Sequence, residues 1–346
     1  MGKAHPSYEL VRQAAKGDIR DVKMHWSSHP EKAQGLYRVD KGNGRVEILD
    51  KKYQFAPDYK FQLDRKFEYH SPWFDNERVE RGTDREIAEM LEIDYDQSGD
   101  TVFDPVAVKD YAIQFCKPPY AEGELHYDLE TGRALEFEVM KGGRVRMWMH
   151  LDPHLRPPRA KYVVGCDISL GHGATNSCLS AARCDTGEKV LEIATPHMEP
   201  NDFAVLAVAI CKWLSSPDNE TLLCWEKQGP GETFGLRVIK LGYLKVYLKK
   251  DESSLGPRTS KMFGWYPGSQ NKANLLAQYR TALSRRKFIN RSKEAMEETL
   301  EWRNTPKGPE HQANSNRKTD PSGATLNHGD RVIADALCCK MMLESG

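Results

Sequence analysis

The sequence predicts an α/β fold: a mixed, five-stranded sheet flanked by helices, preceded by a smaller and more polar α+β segment. Three observations predict it. From Lys161 onward, three strand-like runs follow one another with short breaks. Further on, segments of helical period alternate with short apolar runs. The chain then closes on amphipathic segments rich in helix formers.

From Met1 to about Asp104 the chain is polar and weakly periodic. "RDVKMHWSSHP", ending at Pro30, reads as a strand running into a proline-stopped loop. "TDREIAEMLEIDY" reads as a short helix capped by Thr83 or Asp84, with Ile87, Met90 and Leu91 on one face. "KPPYAEG" and "DPHLRPPRAKY" bracket 117–161 with proline-rich connections, and the boundary falls near Pro158. The expected division is 1–110, a connecting segment 111–157, and a main domain 158–346.

Next come "KYVVGCD", "SCLSAARCD" and "KVLEIATPHM", three strands, the last two joined by the turn "DTGE". "NDFAVLAVAICKWLSS" places Phe203, Leu206, Ala207, Ile210, Trp213 and Leu214 on one helical stripe. "TLLCWE" is a fourth strand, "GETFGLRVIKLGY" a helix ending at Gly242, and "LKVYLKK" a fifth strand. Helices follow at "SQNKANLLAQYRTALSRRK", "SKEAMEETLEWRN" and "HGDRVIADALCCKMM". A strand that follows a helix must return by a crossover, so the later part of the sheet is parallel.

At 346 residues the chain can bury a sizeable core. Lys+Arg and Asp+Glu both number 50, so net charge neither suggests nor excludes a nucleic-acid partner. Eight cysteines form no C-x-x-C pair and sit mostly in apolar runs, against a zinc or disulfide framework. No apolar run approaches the ~20 residues of a membrane span. The start lacks a signal peptide's apolar stretch, so the expectation is a soluble, intracellular chain.

Asp167 closes the first strand of the main domain and Glu226 the fourth, while Asp330 opens the final helix. Sites in open α/β sheets form beyond the carboxyl ends of strands. If those two strands are neighbours, the two acids face each other across ~4.8 Å, one strand spacing. Three converging carboxylates are tolerable only with cations between them, and oxygen ligands select Mg²⁺ or Mn²⁺. Two such ions ~3.5–4 Å apart clamp a phosphodiester. Gly171, Gly173, Gly229 and Gly231 would leave room for a polynucleotide. Taken singly, Asp167 fits an Asx turn, Glu226 a strand end paired with Lys227, and Asp330 a helix N-cap. His328 is a loop histidine or an auxiliary to the acids, and Asp335 a residue supporting them or at the packing edge. Lys249, Lys250, Arg258, Lys261 and Lys272 cluster after the fifth strand as candidate phosphate contacts.

Four stretches, "YVVGCDISLGHGATNS", "LLCWEKQGPGETFG", "GWYPGSQNKANLLAQY" and "LNHGDRVIADAL", together resemble the nuclease half of the large terminase subunit of tailed bacteriophages. The resemblance covers about Lys161 to Met342. It implies an RNase H-like fold and a metal-dependent endonuclease that cuts concatemeric double-stranded viral DNA during packaging, using two Mg²⁺ or Mn²⁺ ions. Asp167, Glu226 and Asp330 fall on that family's acidic metal-binding triad, and His328 lies where some members place a functional histidine. The implied partners are DNA, the small terminase subunit and the portal protein, in the host cytoplasm and without a membrane.

Residues before about 104 resemble the end of the packaging ATPase domain and its linker. No G-x-x-x-x-G-K-[ST] is present, so ATP hydrolysis by this chain is not expected. The expectation is a C-terminal fragment or truncated product that cuts rather than translocates. Two other classes fit parts of the pattern. "DISLGHGATNS" loosely resembles the first phosphate loop of sugar kinases and actin-like ATPases, and a non-enzymatic docking module would need the acids only as caps.

Overall fold

The computed structural model describes residues 25–40, 42–63, 67–81, 87, 91, 101–251, 258–305, 307–312, 320–326 and 328–345. The chain divides into two units, 1–100 and 101–346.

In the first unit a 3₁₀ turn, Trp26–Ser28, precedes strands β1 (Tyr37–Val39), β2 (Val46–Ile48) and β3 (Tyr69–His70) and helix α1 (Pro72–Arg81). The strands form an antiparallel sheet in the order β2-β1-β3. Trp26 stacks on Phe74 with ring centroids 4.5 Å apart. Phe67, Ile87 and Leu91 complete this small core. Asp75 on α1 accepts hydrogen bonds from Tyr37 and Tyr59, and His70 Nδ1 lies 2.9 Å from its other oxygen. Of the strand and proline-stopped loop expected at "RDVKMHWSSHP", residues 20–24 lie outside the described residues, and the rest forms this 3₁₀ turn. There the His25 ring accepts from the Ser27 N–H and the His25 carbonyl from the Ser28 hydroxyl, curling the backbone into a turn. The helix expected over 83–95 lies, apart from Ile87 and Leu91, outside the described residues.

The second unit opens with α2 (Pro105–Phe115), β4 (Ala121–Tyr127), β5 (Ala134–Val139), β6 (Val145–Met147), β7 (Tyr162–Asp167), β8 (Ser177–Arg183) and β9 (Glu188–Thr195). There follow α3 (Pro200–Leu214), β10 (Leu222–Trp225), α4 (Pro230–Lys240), β11 (Leu248–Asp251), β12 (Arg258–Phe263) and α5 (Ser269–Ser284). The end of the chain supplies α6 (Lys293–Thr299), β13 (Trp302–Thr305), β14 (Gly308–His311) and α7 (Asp330–Ser345).

One sheet runs β10-β7-β8-β9-β6-β4-β5. Strands β10 and β7 are parallel, while β7, β8 and β9 form an antiparallel meander. Beyond β10, Val246 makes a single parallel bridge to Leu223. The order is β9-β8-β7-β10 with Val246 at the outer edge, and β6, β4 and β5 are added at the far side. The sheet thus has seven strands where the sequence predicts five. The segment 111–157, read as a connection, supplies three of them. "LKVYLKK" is not one strand: from Leu248 it leaves the sheet to pair with β12 in a separate hairpin.

Side chains alternate between two cores. Val164 and Cys166 pack with Phe203, Leu206, Ile210 and Phe234 under α3 and α4. Val163 packs with Leu276, Tyr279, Val332 and Leu337 under α5 and α7. On that second face Gly165 sits where a Cβ would lie 2.3 Å from the Ala334 carbonyl oxygen and 2.5 Å from the Cys338 nitrogen. Helix α7 therefore rests on β7 at backbone contact. Gly165→Ala is expected to push the helix off the sheet, at about 1–3 kcal/mol. A lowered midpoint in urea unfolding checks this.

Candidate functional site

The backbone contact at Gly165 also sets the position of two acids. Asp167 lies two residues along β7 on the same face, about 6.6 Å further. Asp330 lies one turn before Ala334, about 6 Å back along α7. Strand and helix run in opposite directions here, since the Cys338 thiol donates to the Val163 carbonyl while Ala334 covers Gly165. The matched rises bring the Asp330 end of the helix to the Asp167 end of the strand.

Glu226 arrives from the other side. Trp225 is in register with Cys166, and the Glu226 N–H donates to the Cys166 carbonyl at 3.1 Å. Glu226 thus stands beside Asp167 on the neighbouring parallel strand. Trp225, fully buried under Phe234, fixes which way the strand end faces. The Trp265 backbone lies along Glu226 on its outer side, taking the Lys227 N–H at 2.8 Å.

The three carboxyls feel one another. Burial raises Asp167 well above the usual carboxylate range, and the charges of Glu226 and then Asp330 raise it further. Burial likewise raises Glu226. Asp330, 8% exposed, is pushed up to about 7, first by burial and also by the Asp320 and Glu226 charges. Opposing this, the Asn176 N–H donates to Asp330 Oδ2 at 3.0 Å, and Arg331 stands next in the chain. That bond crosses from the loop after β7, so the Asp330 carboxylate is turned toward the site as well as standing at a helix start. Lys272, in the first turn of α5, is the cation that lowers both Asp167 and Glu226. Its Nζ lies 5.2 Å from the Trp302 ring centroid.

Among the described residues no group of three or more His, Cys, Asp or Glu side chains is placed so that it could hold a metal ion. The set is open. Its donor chemistry nonetheless suits a divalent ion, because it holds three mutually repelling carboxylates with hard oxygen ligands and Lys272 as a partial counter-charge.

The other candidate residues stand as follows. His328 is exposed, and among the described residues no hydrogen bond or ion pair ties it to the acids. Lys249 and Lys250 lie on β11, with Arg258 and Lys261 on β12, so all four belong to one hairpin. Their side chains are outside the described residues. Two of the four glycines expected to leave room for a polynucleotide instead admit the protein's own backbone. A Cβ at Gly231 would lie 1.8 Å from the Glu226 carbonyl oxygen, and one at Gly171 would lie 2.6 Å from the Met198 carbonyl.

Asp335 faces away from the acids into a buried ionic network that the sequence did not disclose. Lys189 Nζ lies 2.6 Å from both Asp335 and Glu192, and all three are at most 1% exposed. Burial alone would depress Lys189, but Asp335 and Glu192 outweigh it and hold the ammonium charged. Glu192 drops to about 2, because Lys189, Arg331 and Arg146 outweigh its burial.

No protein-family model matches the sequence, and no curated protein matches it either. The fold is similar to that of the large terminase nuclease from thermophilic phage G20c, at 13% identity and a TM-score of 0.41, over 62% of this chain and 98% of that one. It is also similar to the nuclease domain of the Thermus phage P74-26 large terminase, at 12% identity and a TM-score of 0.36, over 67% of this chain and 93% of that one. A structure of the G20c nuclease with bound magnesium has 14% identity to this chain and a TM-score of 0.41, over 63% of this chain and 98% of that one.

Proposed function

We propose that this chain is a divalent-metal-dependent endonuclease that hydrolyses phosphodiester bonds of double-stranded DNA, the cutting component of a viral packaging machine. The observation that carries the reading is the junction of Asp167, Glu226 and Asp330. Each comes from a different element, each is raised by burial, and Asp167 and Asp330 are raised further by their neighbours' charge.

These three residues would hold Mg²⁺ or Mn²⁺, two ions in the full reading. When bound, such ions activate water and stabilise the leaving oxygen of an in-line displacement. The chain's own part is positional. Strand β7, paired on both sides by β8 and β10, holds Asp167 against displacement. The Asn176 N–H orients Asp330. Lys272 offsets part of the negative charge and in this reading would meet a phosphate oxygen, with the β11–β12 hairpin as the other basic element. In this reading His328 is an auxiliary group. The small terminase subunit and the portal are the partners such a nuclease would use, inside the host cell. Among the described residues no helix is long and apolar enough to cross a membrane.

The test is cleavage of supercoiled plasmid by purified protein with Mn²⁺ or Mg²⁺, and its loss with a chelator. A protein that is folded, binds DNA and never cuts would leave the reading without support. A second measurement needs no substrate. Because protons and metal compete for the same carboxylates, Mn²⁺ should raise the thermal midpoint more at about pH 8 than at about pH 5. Equal shifts at both would show binding elsewhere.

A further inference from the structure

Arg331 follows Asp330 on α7 and is 3% exposed, and among the described residues its hydrogen bonds go to Glu298 and Asp320 rather than to Asp167 or Glu226. Its guanidinium forks onto Asp320, Nη1 donating to Oδ2 at 2.7 Å and Nη2 to Oδ1 at 2.9 Å. Such a bidentate pair fixes direction as well as distance. Nη1 also donates to Glu298 Oε1 at 2.6 Å, and the Arg331 N–H donates to Glu298 Oε2 at 3.0 Å. The start of α7 is thereby bound to α6.

Asp320 carries a second set of bonds. Its Oδ1 accepts from the Ser322 N–H at 2.9 Å and from the Ser322 hydroxyl at 2.6 Å. The strip it anchors runs on to Thr325 and Leu326, whose N–H groups donate to the carbonyls of Gly173 and Ala174 at 3.2 and 2.8 Å. Two residues beyond Ala174, the Asn176 N–H meets the Asp330 carboxylate. The clasp between Arg331 and Asp320 therefore closes a circuit. The loop leaving Asp167 and the loop entering Asp330 are bonded to each other, and both are referred to a buried guanidinium.

We propose that Arg331 and Asp320 are positioning residues for the metal centre: their bidentate pair fixes the turn into α7, and so the direction in which Asp330 presents its carboxylate to Asp167 and Glu226. The inference rests on reading the three acids as a metal site. It assigns Arg331 and Asp320 no contact with the substrate or the reacting atoms.

Asp320→Asn keeps the side chain's size and an oxygen for Ser322 but gives up the charged fork, and Arg331→Lys keeps the charge but cannot fork. Each is to be measured by calorimetric titration with Mn²⁺ and by the Mn²⁺ dependence of plasmid cleavage, with circular dichroism and thermal melting as controls on folding. The expected result for Asp320→Asn is a folded protein whose half-saturating Mn²⁺ concentration rises about 10- to 100-fold in both measurements, the usual cost of losing a group that orients a metal ligand. Asp320→Glu should recover part of it. Unchanged Mn²⁺ affinity in folded Asp320→Asn, or a change confined to DNA affinity, overturns the positioning role while leaving the triad reading intact. If Arg331→Lys does not fold, Asp320→Asn decides alone. A wild-type protein that neither binds Mn²⁺ nor cuts removes both readings together.

Discussion

Asp330→Asn is expected to abolish Mn²⁺-dependent cleavage and, at about pH 8 without metal, to make the protein more stable. The loss should be at least about a thousandfold, because residues that act as one unit fail together; Asp167→Asn should lose as much. The gain in stability follows from the sign of the proton balance. Asp330 moves from the ordinary 3.8 to about 7 on folding. Between those values the folded protein binds more protons than the unfolded chain, so stability falls as pH rises through that window. Above it, the full cost of holding the charge is present. Each tenfold displacement of a proton equilibrium is about 1.4 kcal/mol, which puts an upper bound of roughly 4 kcal/mol on the relief. Weakening the bond from the Asn176 N–H takes back part of that. Melting curves of wild type and variant at several pH values, with a chelator present, check it. A variant that is less stable than wild type above about pH 7 would show that the acid is stabilised where it stands, which contradicts strain in the site.

Lys189→Met should have the largest effect on folding itself. It leaves Asp335 without its ammonium partner in a setting with 0% exposure. Removing one partner of a buried pair costs about 3–5 kcal/mol. Whole-domain stability is commonly about 5–15 kcal/mol, so the variant should stand close to unfolding. Glu192 suffers less, since Arg146 Nη1 remains at 3.1 Å and Arg331 Nε at 3.6 Å. Adding Asp335→Leu to Lys189→Met should restore most of the stability, because replacing both charges by apolar groups is often neutral. Urea unfolding of the single and double variants separates the outcomes. A double variant no better than the single would locate the loss in packing rather than in the stranded charge.

Legibility in the sequence follows burial. Strands β7, β8 and β10 are apolar on both faces, and α3 is buried nearly all round, so these elements announce themselves. Their ends carry Asp167 and Glu226, which is why two of the three acids could be placed by register alone. Strands β4, β5 and β6 read as a polar connection because one face is open. Leu125, Phe137, Val145 and Met147 are buried, but Glu124, Glu136 and Glu138 alternate with them. The ionic network was hidden by a slip in pairing. Ala181 faces Leu191 while Ala182 faces Lys189, leaving Val190 as a bulge. In a regular strand without the bulge, Lys189 and Glu192, three residues apart, would point to opposite faces. No periodicity in "EKVLEIAT" reveals it. Asp320 was equally invisible, a single acid in a polar loop whose importance comes from a guanidinium eleven residues on.

The bare contact at Gly165 makes β7 and α7 two scales indexed against each other. Deleting one residue between Val163 and Asp167 would transfer the acid to the opposite face of the sheet. Deleting one between Asp330 and Cys338 would rotate the helix start by about 100°. Over evolutionary time, insertions in exposed surface turns cost little, whereas these two short stretches must keep their length. A lineage built on this device should therefore drift in size nearly everywhere while its frame at these two places stays fixed.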